Sequence, residues 1–204
     1  FEAAFLAREL GRPVRVQWMR HEETAWDTKG PPYTFKLRGG LDAQGKPVAL
    51  EYDARALDYN HLWYNEPETV LIAQLMGKRP AKTAPGSAEK PSVQYAIPNQ
   101  RMTASVVGLP MIWETPLRTG NLRDPNGPQV TFAFESFIDE LAAAAKTDPV
   151  KFRLDMIAGS TEDDVFRRAR SLAVIKAAAE AYGWDTRPSP KARAHAATGA
   201  ANSN

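Results

Sequence analysis

The sequence predicts an α+β chain in which mixed-sheet hairpins come first and a helical segment follows. Three observations carry that prediction. Two alternating runs, Tyr33 to Gly39 and Val48 to Leu57, flank the turn Asp42-Ala43-Gln44-Gly45-Lys46 and read as a β-hairpin over 33–57. Phe134, Phe137, Ile138, Leu141, Ala142 and Ala145 recur at i, i+3, i+4, the spacing of one buried helix face. Asp148-Pro149 is a helix entry, with Asp as the cap and Pro at the first helical position.

The remaining elements follow in chain order. Ala3, Leu6, Ala7 and Leu10 share a helix face, and Gly11 stops that helix. Val14-Arg15-Val16-Gln17-Trp18 alternates and reads as a strand, with a polar stretch over Arg20 to Gly30 behind it. Tyr59, Trp63 and Tyr64 surround His61, and Leu71 to Met76 suggests a short helix. Lys78 to Pro91 is rich in Lys, Pro, Ala, Gly and Ser and reads as a mobile loop. Val93 to Tyr95 and Arg101 to Val107 read as strands on either side of a Pro98-Asn99 turn. The patterned helix runs from Val130 to Ala145 and the next from Pro149 to about Ala158. A last helix, Ser171 to Tyr182, is capped by Gly183. Lys191 to Asn204 contains no Val, Ile, Leu or aromatic residue, which predicts disorder. Residues 1–187 therefore form the folded part and 188–204 a disordered tail. Phe1 opens the chain in what reads as mid-helix, so the expectation is a piece of a longer polypeptide.

Composition excludes several classes. The net charge of +2 and the absence of a basic stripe argue against nucleic-acid binding. No apolar run reaches the length of a transmembrane segment. With no cysteine there is no disulfide framework, thiolate metal site or thiol nucleophile. His21, His61 and His195 have no paired-ligand spacing, so no metal site is assigned. No G-x-S-x-G elbow, P-loop or G-x-G-x-x-G occurs. Glu135 and Asp139 lie i, i+4 on one helix side; an acid pair is one reading, solvated surface charge the favoured one. The aromatics of 59–64 are read as packing, with stacking on a flat ligand as the rival.

One stretch does look built to hold something. Pro116 to Gln129 (PLRTGNLRDPNGPQ) packs turn formers and two arginines just ahead of the patterned helix. A helix start offers backbone N–H groups and the positive end of the dipole, which together suit an anion. On local features alone an ordinary surface turn is the favoured reading.

Phe132 to Ala142 (FAFESFIDELA) with Asp148 to Leu154 (DPVKFRL), Gly11 to Glu23 (GRPVRVQWMRHEE) and Ala178 to Trp184 (AAEAYGW) together resemble the molybdopterin-binding large subunit of the xanthine oxidase family. The nearest branch is that of the isoquinoline 1-oxidoreductase β-subunit and nicotinate dehydrogenase. The resemblance spans residues 1 to about 187. It implies a molybdenum hydroxylase that oxidises an N-heterocycle or aldehyde with water as oxygen source. It also implies molybdopterin with molybdenum, in the cytosine dinucleotide form, a [2Fe–2S] partner subunit and, in some relatives, a cytochrome c subunit. Periplasm and bacterial cytoplasm both stay open. The cofactor-facing loop of the family corresponds to Arg123, Asn126, Gly127, Pro128 and Gln129, the pterin's phosphate being the implied anion. Where the family carries Gly or another small residue, Asp124 stands here. A carboxylate there opposes a phosphate unless it turns away or pairs with Arg118 or Arg123. The family's Gly-rich motif would precede Phe1 and its glutamate base would follow Asn204, so no catalytic residue is assigned and the chain is expected to be inactive alone. Two rival readings stay open: a non-catalytic assembly module docking a partner subunit, and a stand-alone binding domain using the 59–64 aromatics.

Overall fold

The computed structural model describes residues 2–27, 29–57, 76–77, 88–91, 94–107, 119–120, 124, 126–161 and 167–186. The 59–64 aromatics, the Leu71–Leu75 part of the expected short helix, Arg123 and the tail 188–204 lie outside them. The elements are α1 (Glu2–Leu10), α2 (Arg20–Trp26), β1 (Tyr33–Leu41), β2 (Pro47–Ala56), β3 (Asn99–Val106), α3 (Gly127–Ala144), α4 (Pro149–Ala158) and α5 (Arg168–Tyr182). The α+β class is as the sequence predicts.

The sheet order is β1-β2-β3. The hairpin forms where the alternation predicts it. Its turn is held by the Asp42 carboxylate, whose Oδ1 accepts Gln44 N–H (2.9 Å) and Lys46 N–H (2.8 Å). Gly45 supplies the positive φ of +77° that the turn requires. The pairing of β2 with β3 is parallel. Asn99 Nδ2 donates to Val48 O, Thr103 Oγ1 to Tyr52 O and Ser105 Oγ to Ala54 O, each across the same interval of 51 residues. A constant positive offset means that the two strands advance together, so the sheet is mixed. The central strand β2 is the most buried, with Leu50, Tyr52, Ala54 and Ala56 all inside.

The chain divides into two compact units. The first takes Phe1–Thr34, Ala54–Glu89 and Ala104–Gln129, the second Phe35–Asp53, Lys90–Thr103 and Val130–Asn204. In the second unit, α3 turns Val130, Phe134, Ile138, Leu141 and Ala142 inward; the last four belong to the stripe read from the sequence, whose Phe137 and Ala145 are only half-buried. Gly39 lets β1 lie close to this helix: a Cβ built there would stand 2.7 Å from Leu141 Cδ2 and 3.2 Å from Phe137 Cε1. Phe152, Met156 and Ile157 of α4 complete the core. Each such large side chain contributes roughly 1.5–3 kcal/mol when fully buried. α5 packs on α4 and ends at Gly183, which is left-handed (φ +68°) with its N–H on Glu180 O, while Trp184 N–H reaches Ala179 O.

Two expectations are corrected. Val14 to Trp18 is no strand. It pairs with no other strand among the described residues, and Val16 and Trp18 stay exposed. Alternation specifies a strand only where a neighbour accepts its backbone bonds. The polar stretch behind it instead forms α2, started by a bond from Met19 N–H to Glu22 Oε2 (2.8 Å), half of a capping box. Gln94 and Tyr95 are also outside any strand. That segment is held by Ala96 N–H on Met156 O (3.1 Å), with the Tyr95 ring buried against Phe134.

Candidate functional site

In the first unit the end of the 116–129 loop becomes the start of α3. Asn126 precedes the helix and is 1% exposed. Asn is a favoured helix cap because its oxygen can accept a first-turn N–H, but here Oδ1 accepts the Tyr33 hydroxyl at 2.5 Å. The cap role passes to Asp124. Its Oδ1 accepts Gly127 N–H at 3.1 Å, and its backbone adopts φ +54°, a left-handed conformation that Asp tolerates better than most residues. Asp124 thus turns to the helix. The carboxylate lies so close to Gly127 that a Cβ built there would fall 2.0 Å from Oδ2, so position 127 must be glycine while Asp124 stays in place.

Gln129, one turn in, directs Nε2 to Pro31 O (2.9 Å). Lys29 and Thr119 form an isolated parallel bridge, and Gly120 N–H donates to Lys29 O (3.1 Å), which closes the other side of the loop. Two polar atoms are left over. Asn126 Nδ2 and Gln129 Oε1 are buried and have no hydrogen-bond partner among the described residues. Such a group costs about 1–3 kcal/mol when stranded, so folded proteins rarely keep one without a reason. Here one is a donor and the other an acceptor, three residues apart on the same helix start.

The structure therefore brings Asn126, Gly127, Pro128 and Gln129 together at the start of α3, while Arg123 lies outside the described residues. The expected row of free amides is shorter than the sequence suggests. Pro128 has no N–H and that of Gly127 is taken by Asp124. The amide side chains of Asn126 and Gln129 supply the unmet polar capacity instead. Tyr33 was not picked out as a site residue by sequence reasoning; its only signal is a tyrosine opening an otherwise half-buried strand.

In the second unit, Glu135 and Asp139 are neither an acid pair nor loose surface charge. Arg153 bridges them: Nε donates to Glu135 Oε2 (2.9 Å), Nη1 to Asp139 Oδ1 (2.6 Å) and Nη2 to Glu135 O (3.0 Å). The Tyr95 hydroxyl also donates to the Glu135 carboxylate (2.9 Å). Burial and the Glu135 charge push the Tyr95 hydroxyl pKa well above its ordinary value. Burial works against the Arg153 charge, but its bonds to Asp139 and Glu135 outweigh that and raise its pKa. Asp148 serves twice. Oδ1 accepts Val150 N–H (3.0 Å) and Lys151 N–H (2.9 Å) at the start of α4, and Oδ2 accepts Trp184 Nε1–H (2.8 Å). These groups are mutually satisfied and hold α3, α4 and the end of α5 in register. Among the described residues no group of three or more His, Cys, Asp or Glu side chains could hold a metal, and no helix is long and apolar enough to cross a membrane.

Residues 1–156 match the molybdopterin cofactor-binding domain. The chain belongs to that family, and with it to the xanthine oxidase family of molybdenum-binding subunits. It is 30% identical over 191 residues to a nicotinate dehydrogenase subunit of Pseudomonas putida, covering 92% of this chain and 14% of that protein. It is 29% identical over 189 residues to the isoquinoline 1-oxidoreductase β-subunit of Brevundimonas diminuta, covering 91% of this chain and 21% of that protein. It is 28% identical over 192 residues to the aldehyde oxidoreductase molybdenum-binding subunit PaoC of Escherichia coli K12, covering 91% of this chain and 22% of that protein. The chain thus spans less than a quarter of the length of these relatives.

Proposed function

We propose that this chain contributes one wall of the molybdopterin site in a molybdenum hydroxylase that oxidises an N-heterocycle or an aldehyde, with water as oxygen source. The names of its relatives supply both substrate classes: nicotinate and isoquinoline on one side, aldehydes on the other. The observation that carries the reading is the stranded pair at the start of α3, Asn126 Nδ2 and Gln129 Oε1. A pterin edge carries donors and acceptors side by side, so a buried amide donor and a buried amide acceptor suit it in chemical kind. When bound, the cofactor supplies the two-electron redox chemistry.

The chain's own residues bind and orient. Asn126 and Gln129 would satisfy the pterin's polar edge, with Tyr33 fixing Asn126 and Pro31 O fixing Gln129. Gly127 would let the ligand approach the backbone closely, Pro128 would hold the first turn of α3 rigid, and Arg123 would meet the phosphate. The proposal extends, as features of the whole enzyme, to the cytosine dinucleotide form of the cofactor and to pairing with a [2Fe–2S] subunit and a cytochrome c subunit. The rest of the polypeptide would supply the catalytic base.

A second reading, an assembly module docking a partner subunit, draws on exposed apolar side chains. Phe132 is 76% and Tyr182 79% exposed. Metal analysis of the complete enzyme separates the two. Replacing Arg123→Ala or Gln129→Leu should lower molybdenum per protein several-fold while subunit association is kept. Full molybdenum in both variants would remove the cofactor reading, and loss of association with molybdenum retained would favour the assembly module.

A further inference from the structure

Asn126 is followed by Gly127, and that order carries a chemistry the cofactor reading does not use. The side-chain amide of an asparagine is an electrophile within reach of the next residue's backbone nitrogen. A glycine there puts no side chain in the way and allows the widest choice of backbone angles. It cannot be exchanged for a safer residue while Asp124 stays in place, because a Cβ at 127 would fall 2.0 Å from Asp124 Oδ2. The fold therefore keeps a labile pair and immobilises it. Asn126 Oδ1 accepts the Tyr33 hydroxyl at 2.5 Å, and Gly127 N–H donates to Asp124 Oδ1 at 3.1 Å. Both reacting groups are thus tied to other partners. Asn126 is 1% exposed, but ring closure joins two atoms of the same chain and needs no solvent contact. Those two bonds, more than burial, are the guard.

We propose that Asn126–Gly127 is a latent self-modification site, gated by the hydrogen bonds of Tyr33 and Asp124. When both open, the Gly127 nitrogen loses its proton and attacks Asn126 Cγ. The N–Cγ bond forms, the Cγ–Nδ2 bond breaks, and Nδ2 departs as ammonia with that proton. Water then opens the cyclic imide on one side or the other, leaving aspartate or isoaspartate at 126. The product has lost Nδ2, the donor with no partner among the described residues, and has gained a carboxylate. As isoaspartate it also lengthens the backbone at the start of α3. The chemistry is independent of the cofactor reading. Its consequence rests on that reading: a subunit that opens here before it is loaded loses the site for good.

The test is the rate at which Asn126 converts in the full chain, followed by peptide mass spectrometry during incubation at mildly alkaline pH. The urea-unfolded chain gives the ungated rate. The folded natural chain should react far more slowly, since only its open fraction reacts. Tyr33→Phe removes one gate bond, so Asn126 should convert about fivefold faster, the weight of one net hydrogen bond. Asp124→Ala should accelerate it by at least as much. Tyr95→Phe gives up a hydrogen bond in the second unit and should leave the rate unchanged. Equal acceleration by Tyr95→Phe would make the opening global and overturn the gate, as would unchanged rates in Tyr33→Phe and Asp124→Ala. Conversion in the folded chain as fast as in urea would show that nothing is gated, and no conversion in urea would remove the site. Molybdenum analysis separates this inference from the cofactor reading. Complete enzyme carrying isoaspartate at 126 should hold less molybdenum; full molybdenum in it would count against the cofactor reading of Asn126 and leave the gate standing.

Discussion

Replacing Arg153→Met should destabilise the second unit by about 2.5 kcal/mol. Met keeps much of the aliphatic stem and its packing, so the change isolates the guanidinium. Arg153 is 17% exposed, Glu135 36% and Asp139 55%. The bond to Glu135 is charge-assisted and partly shielded, worth roughly 1.5 kcal/mol. The bond to Asp139 faces water and is worth only about 0.5 kcal/mol. The donation to Glu135 O adds about 0.5 kcal/mol, because that carbonyl also belongs to a helix. In a chain of this size the loss is roughly 5–10 °C in Tm. Urea unfolding measures it directly, as a lower midpoint at unchanged m-value. A Glu135→Gln, Arg153→Met double mutant should recover part of the loss, with a coupling of about 1.5 kcal/mol between the two positions. A loss below about 1 kcal/mol, or strict additivity, would refute the view that this arginine fastens α4 to α3.

Two further outcomes follow from the same network. Asp148→Ala should cost about 2–3 kcal/mol in urea unfolding, since it removes both the start of α4 and the acceptor of Trp184, and the Trp184 emission should shift as its indole N–H is freed. Tyr95→Phe should cost about 1 kcal/mol at neutral pH, and the gap between the two proteins should close at alkaline pH. The sign follows from the raised folded-state pKa. Below the ordinary value of 10.0 Tyr95 is protonated both folded and unfolded, and its contribution is complete. As pH rises past that value the unfolded chain ionises first, so the contribution is lost towards the higher folded pKa. A gap that stays constant up to pH 11 would contradict it.

Local signals made most of the fold legible. The hairpin, α3, the Asp148-Pro149 entry and the Gly183 cap each rest on side chains within one turn or one strand of one another. Failures came where a distant partner decides. Val14 to Trp18 has the alternation of a strand and nothing to pair with among the described residues, while the neighbouring polar run is helical because Glu22 reaches back to Met19. Glu135 and Asp139 look solvated until Arg153, 18 and 14 residues on, is brought to them. At the loop, the turn chemistry was readable and its occupant was not. Nothing in R-D-P-N-G-P-Q says that Asp124 folds onto Gly127, because a left-handed φ at an aspartate is set by the surrounding chain.

The same contrast separates architecture from candidate site. The motifs that make the family recognisable, FESFIDELA with DPVKFRL and AAEAYGW, resolve into Glu135, Asp139 and Arg153 in one network and Asp148 with Trp184 in another. In each the charged and polar atoms meet partners within the unit. They would serve any chain that needs α3, α4 and α5 in register. The residues that would touch a ligand are chemically blander: an asparagine, a glycine and a glutamine beside a proline. Their mark is incompletion, since two of their buried polar atoms lack partners among the described residues where the fold has satisfied Glu135, Arg153 and Asp148. Stranding both atoms permanently would waste several kcal/mol of a stability that is itself only about 5–15 kcal/mol. A ligand that completes them returns that energy as affinity, which is the physical reason to look for the cofactor at Asn126 and Gln129 rather than at the recognisable motif.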